Sequence, residues 1–138
     1  MNVARTLFDF RGRFGIPEYA VVLGTSVVAV VLIIMAGRAV SPFISLALVP
    51  VAWVMIAALV KRFHDFGWSG AGCFLVVVPF VGLGLFLLVL AVAGDKGENK
   101  YGSEQVHFAT PGVVRIFVNM GFAIVVLGAI ALVFKFYR

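Results

Sequence analysis

The sequence predicts an all-α polytopic membrane protein, with four transmembrane helices preceded by an amphipathic N-terminal helix in the interface. Three observations predict it. Residues 19–37, 39–60, 66–94 and 116–134 carry no charged side chain, and crossing the hydrocarbon core takes about 20 apolar residues. Hydrophobic residues make up 63% of the 138-residue chain and charged residues only 12%, about half the usual share in a soluble domain. The basic residues behind the net charge of +5 stand beside the uncharged stretches, where they meet anionic headgroups rather than nucleic acid. The length suits a single membrane domain, and a soluble fold would be left with almost no polar surface.

Taken in order, residues 1–15 form the leader. Val3, Leu7, Phe10 and Phe14 recur at helical spacing, which places them on one face of an interfacial helix. Gly12 and Gly15 weaken it near its end, and an irregular basic leader is the plainer alternative. Pro17 then suits the first turn of a helix, Glu18 its positive dipole end, and Tyr19 the headgroup level. The uncharged run that follows is longer than a signal-peptide core, and Arg38 interrupts the obvious cleavage site, so it reads as a retained span.

Ser41 and Pro42 mark the start of the second span as cap and first helical residue. Pro50 is expected to bend it by clashing with the Leu46 carbonyl, and Lys61 and Arg62 are expected to end it. The third stretch has 29 uncharged residues, about 43 Å as one helix, which is more than the core thickness. Pro79, Gly82 and Gly84 interrupt it. It reads either as one kinked, tilted span over residues 70–93, or as two half-helices that meet at 79–84 and return to their starting side. Irregular backbone at membrane depth needs protein or water beside it, so the kinked span is the expectation.

Residues 95–115 read as an ordered polar loop. Thr110 and Pro111 open the last helix, whose Asn119, Gly121 and Gly128 give a small or polar packing face. With four single spans, one side holds Arg5, Arg11, Arg13, Lys61, Arg62, Lys135 and Arg138, and the other holds Arg38, Lys96, Lys100 and Arg115. That excess places both termini in the cytoplasm. The hairpin alternative would move residues 95–115 to the cytoplasmic side.

Three polar islands interrupt the apolar background, at residues 10–19, 61–70 and 94–102. Ionisable groups near a membrane are costly unless paired. Arg11, Arg13, Glu18, Arg62, His64 and Asp65 therefore read first as a network that neutralises itself and ties helix ends together. The sharper reading is a lipid-headgroup site, with arginines gripping phosphate and His64 relaying protons. Adjacent His64 and Asp65 with Glu18 make a weak metal pattern, and no metal or cofactor is assigned. Glu98, Asn99 and Tyr101 form a candidate loop motif, with a self-capped turn as the plainer reading. Cys73 is the single cysteine and has no partner for an internal disulfide. No nucleophile–base constellation is present, so no catalytic residue is assigned.

Phe10-Arg11-Gly12-Arg13 with Glu18-Tyr19, Lys61-Arg62-Phe63-His64-Asp65-x-Gly67-x-Ser69-Gly70, Pro79-x-x-Gly82 and Gly97-Glu98-Asn99-Lys100-Tyr101-Gly102 occur in that order. Together they resemble the DUF805 family of bacterial inner-membrane proteins, over about residues 8–102. The chain departs from that pattern at Ala20, Phe63 and Ala71-Gly72, where the family carries Trp, Leu and a Trp pair. The resemblance implies a bacterial inner-membrane location and no particular activity. Residues 16–102 would then be the family-like core, and residues 103–138 a loop with an additional helix.

The expected role is a non-enzymatic accessory subunit or lipid-interacting module. Its expected partners are anionic lipids and a membrane protein or a second copy. A small oligomeric transporter or channel subunit is the alternative, followed by an enzyme acting on a lipid phosphate.

Overall fold

A computed structural model describes residues 3–102 and Gly112. Among them there are α-helices, two 3-10 segments and no strand, only an isolated bridge between Asn99 and Gly102. Helix α1 is Val3–Phe8 and α2 is Ile16–Ala39. The 3-10 segment Pro42–Ala47 leads into α3, Leu48–Asp65, and the 3-10 segment Gly70–Val77 precedes α4, Val81–Ala91.

The leader is helical only over Val3–Phe8, shorter than the amphipathic face expected from Val3 to Phe14. The helix stops at Phe8, because Asp9 Oδ1 accepts from the Arg11 amide at 3.0 Å and Gly12 takes φ +88°, a left-handed conformation that breaks the helix. Two of the four apolar positions expected on its face lie beyond its end. Phe10 packs edge-on against Trp53, whose indole donates to the Phe8 carbonyl at 3.1 Å, and Phe14 is fully buried.

Helix α2 starts where Pro17 and Glu18 predict, one turn ahead of the uncharged run, and continues past Arg38. At about 36 Å it exceeds the hydrocarbon thickness. Its buried residues, Glu18, Tyr19, Val21, Val22 and Ser26, all lie in its first half. The rest shows Val27, Leu32 and Met35 outward, as suits a helix facing lipid.

Ser41 takes the N-cap position but makes no side-chain capping bond. The chain winds as a 3-10 helix up to Ala47 and turns α-helical at Leu48, two residues before Pro50. Pro50 thus falls in the first turn of α3, just after the change from 3-10 to α-helical winding. Lys61 and Arg62 do not end this helix, which runs on to Asp65 and carries Arg62, His64 and Asp65 in its last turn. Two helical lengths, Ile16–Ala39 and Pro42–Asp65, are long and apolar enough to cross a membrane, while Val81–Ala91 is shorter.

The largest correction concerns residues 66–94, which do not form a single kinked span. The stretch divides at Val78–Phe80 into a 3-10 segment and a short helix, each about 16 Å long. Both ends of this hairpin lie at the Asp65 end of α3. Gly70 sits against Val60 and His64, and the Asp95 amide donates to the Asp65 carbonyl at 2.8 Å. Phe80 turns the tip with φ +64°, and Gly82 packs so closely on the Val76 carbonyl that a Cβ there would collide with it. The described residues thus contain two lengths able to cross and one half-length hairpin. The fourth expected span, residues 116–134, lies outside the described residues, as do Thr110, Pro111, Arg115, Asn119, Gly121 and Gly128.

The apolar core gathers at the same end. Phe14, Tyr19, Val22, Ala58, Phe63 and Val89 form it, drawn from the leader, α2, α3 and α4.

Candidate functional site

The three polar islands meet at one end of the fold. Asp65 is their hub, and its carboxylate is completely buried. Oδ1 accepts from Arg13 Nε at 3.1 Å and Nη2 at 3.0 Å, while Oδ2 accepts from Arg62 Nη1 at 2.5 Å. One carboxylate therefore joins a guanidinium from the leader to one from its own helix.

Each arginine then reaches a different part of the hairpin or the loop after it. Arg13 Nη1 donates to the Gly97 and Gly102 carbonyls at 2.6 and 3.2 Å, and Nη2 to the Asp95 carbonyl at 2.5 Å. Arg62 donates through Nε to the Val89 carbonyl at 2.8 Å, through Nη1 to Phe14, and through Nη2 to Val92. The carbonyls that a helix leaves unbonded at its C-terminus need donors, and Arg62 supplies one to Val89 in the last turn of α4 and one to its C-cap residue Val92. A guanidinium has five N–H donors in a fixed fork. These contacts occupy all five of Arg13 and four of Arg62.

The loop closes over this pair. Asn99 Nδ2 donates to the His64 carbonyl at 2.9 Å and to Asp95 Oδ2 at 3.0 Å, while its Oδ1 accepts from the Tyr101 amide at 2.9 Å. That last bond is the self-capped turn expected for the motif. The Tyr101 ring stacks on the His64 ring with centroids 3.8 Å apart and planes 6° from parallel. His64 Nδ1 lies 3.3 Å from the Gly12 carbonyl oxygen. Gly94 lies against the Asp65 carboxylate so tightly that a Cβ would collide with it.

Lys61 adds a second attachment for the leader. Its ammonium donates to the Thr6 carbonyl and sits 4.6 Å over the Phe14 ring, while the Phe14 amide donates to the Lys61 carbonyl at 3.2 Å.

Of the residues singled out by sequence, the structure brings Arg13, Arg62, His64, Asp65, Asn99 and Tyr101 into one assembly. Glu18 is buried in the first turn of α2. Arg11 and Glu98 are exposed and stand outside the network. Sequence reasoning did not single out Lys61, Gly94 or Asp95. The signal was present in the islands themselves, but two of the three bonds of Asp95 run through its backbone amide and carbonyl, which no side-chain pattern reveals. Among the described residues, no three His, Cys, Asp or Glu side chains gather as a metal site would require.

Two environments remain accessible around the network. Exposed Arg11, Lys96 and Lys100 stand at the polar end. Tyr19, Leu23, Met55, Leu59, Val76 and Phe86 line an apolar recess of about 250 Å³ between α2, α3 and the hairpin.

Comparison with known proteins gives the same family as the motifs. The family described as "Protein of unknown function (DUF805)" matches residues 7–103. Uncharacterized protein YiiR of Escherichia coli K12 is 30% identical over 132 residues, covering 75% of this chain and 90% of that protein. Inner membrane protein YhaI of the same organism is 33% identical over 64 residues, covering 46% of this chain and 54% of its own length. No solved structure matches the chain.

Proposed function

Because the chain belongs to the DUF805 family, whose function is unknown, we propose that it is a non-enzymatic inner-membrane protein, an accessory subunit or lipid-interacting module. In this reading the Arg13–Asp65–Arg62 clasp holds a re-entrant hairpin against two spans. The observation that carries it is how the buried guanidiniums are used. Nine of their N–H donors are already bonded within the fold, so a substrate phosphate would have to displace the bonds that close the structure. The lipid-facing role then falls to the exposed cations Arg11, Lys96 and Lys100, with the apolar recess between α2, α3 and the hairpin taking acyl chain. Snorkelling cations at a headgroup boundary suit anionic lipid.

The hairpin also changes the expected topology. With residues 95–102 beside the leader, one side carries Arg5, Arg11, Arg13, Lys61, Arg62, Lys96, Lys100 and Arg115, and the other Arg38, Lys135 and Arg138. The excess is wider than with four single spans. It favours a cytoplasmic leader and cytoplasmic islands, with the C-terminus on the opposite side if residues 116–134 cross. The name of YhaI supports the inner membrane as the location.

Native mass spectrometry from mild detergent tests the role. The protein should retain phosphatidylglycerol in preference to phosphatidylcholine, and a combined Arg11→Gln, Lys96→Gln, Lys100→Gln variant should lose that preference. A bare monomer that retains neither lipid nor a protein partner would sink the proposal.

A small oligomeric transporter or channel subunit is the second reading. The broken third stretch favours it, since such proteins place discontinuous helices at mid-membrane. It calls for a defined homo-oligomer in the same spectra.

A further inference from the structure

Resting on the re-entrant reading of the hairpin, we infer that its uncovered tip is the docking face for this chain's own apolar segment, residues 116–134. At the tip the backbone leaves helical geometry, with Val78 extended and Phe80 at φ +64°. Non-helical backbone at membrane depth stands only against protein or a water-filled cavity. The described residues do not supply a wall, because Phe74, Val77 and Phe80 are 75%, 83% and 90% exposed. Those side chains are apolar, so the neighbour that suits them is protein rather than water.

The chain itself carries a fitting occupant. It continues past Gly102, which lies on the same face as both ends of the hairpin, and residues 116–134 hold no charge. Residues 103–115 can extend up to about 43 Å, so reach does not limit the contact. A tether of this length gives an effective concentration in the millimolar range, which favours the attached segment over a second copy. As a helix entering from the island face, the segment would place Gly128 about 18 Å deep. That is the level of the hairpin tip, about 16 Å from its ends. A glycine there lets two backbones approach closely.

Disulfide trapping in the full-length protein, in native membranes, tests this. A Cys73→Ser background carries Phe80→Cys, one cysteine at each of positions 124 to 131 in turn, and a protease site within residues 104–108. After oxidation and cleavage, the two fragments should stay joined at monomer mass for positions recurring every three or four residues. Leu32→Cys in place of Phe80→Cys should trap none of them. A product of twice the mass would overturn the inference in favour of a second copy, and no trapping at any position would overturn it in favour of lipid. Failure of the re-entrant reading shows separately: an impermeant maleimide would then label Lys96→Cys from the side opposite Arg11→Cys.

Discussion

Arg13 and Asp65 lie 52 residues apart in the chain and pair at 3.0 Å with both side chains buried. Arg62 holds the other oxygen of the same carboxylate. A buried pair of this kind contributes little beyond what apolar packing would, yet removing one partner is costly because it strands the other charge. Here two guanidiniums would be stranded at once.

Asp65→Ala should therefore destabilise the protein by about 3–5 kcal/mol. Asp65→Asn should also destabilise it, since it keeps the shape and loses the charge. Thermal unfolding in detergent measures both. Melting at the wild-type temperature for Asp65→Asn would argue against a clasp that holds the fold. Arg13→Lys should fail as well, because an ammonium cannot span Asp65 and three loop carbonyls at once.

Gly94→Ala should destabilise by roughly 1–3 kcal/mol, the usual range for overpacking, because the added methyl meets the Asp65 carboxylate. Gly97→Ala is the control. It lies in the same loop with open space around the new methyl, and its melting temperature should stay near wild type. Equal effects at the two positions would count against close packing at Gly94.

Asn99→Ala removes the two donor bonds to His64 and Asp95 and the acceptor bond from Tyr101. Net contributions of about 1 kcal/mol per bond predict a loop that opens more often while the spans stay formed. Hydrogen exchange should rise over residues 95–102 and remain unchanged in α2. Unchanged protection in the loop would show that Asn99 does not hold it.

Sidedness separates the hairpin from the kinked span. In a Cys73→Ser background, Arg11→Cys and Lys96→Cys should react with an impermeant maleimide from the same side of the membrane. Val40→Cys, 78% exposed at the far end of α2, should react from the other. Labelling of Lys96→Cys together with Val40→Cys would restore a single crossing for residues 66–94.

Much of the candidate site was legible in the sequence. Arg13, Arg62 and Asp65 stood out because charges beside apolar runs need partners, and Asn99 because its island is built of turn formers. Arg62's carbonyl partners and the packing of Gly94 were not legible. Backbone acceptors carry no side-chain signature, and a glycine needed for close approach looks like one needed for a turn.

The sequence by itself determined the solvent and the class. Long uncharged runs can satisfy their backbone in lipid only as helices or in a closed barrel, and their length and composition predict helices over residues 19–37 and 42–60. What it did not determine was the path of residues 66–94: a run of 29 uncharged residues with a proline near the middle admits both a bent crossing and a half-depth hairpin, and the cost of irregular backbone at membrane depth favoured the crossing. Only tertiary structure decided between them. The bonds from Arg13, Arg62 and Asp65 to the backbone of residues 89–102 hold the end of the stretch beside its beginning, and that choice brings the three polar islands onto one face.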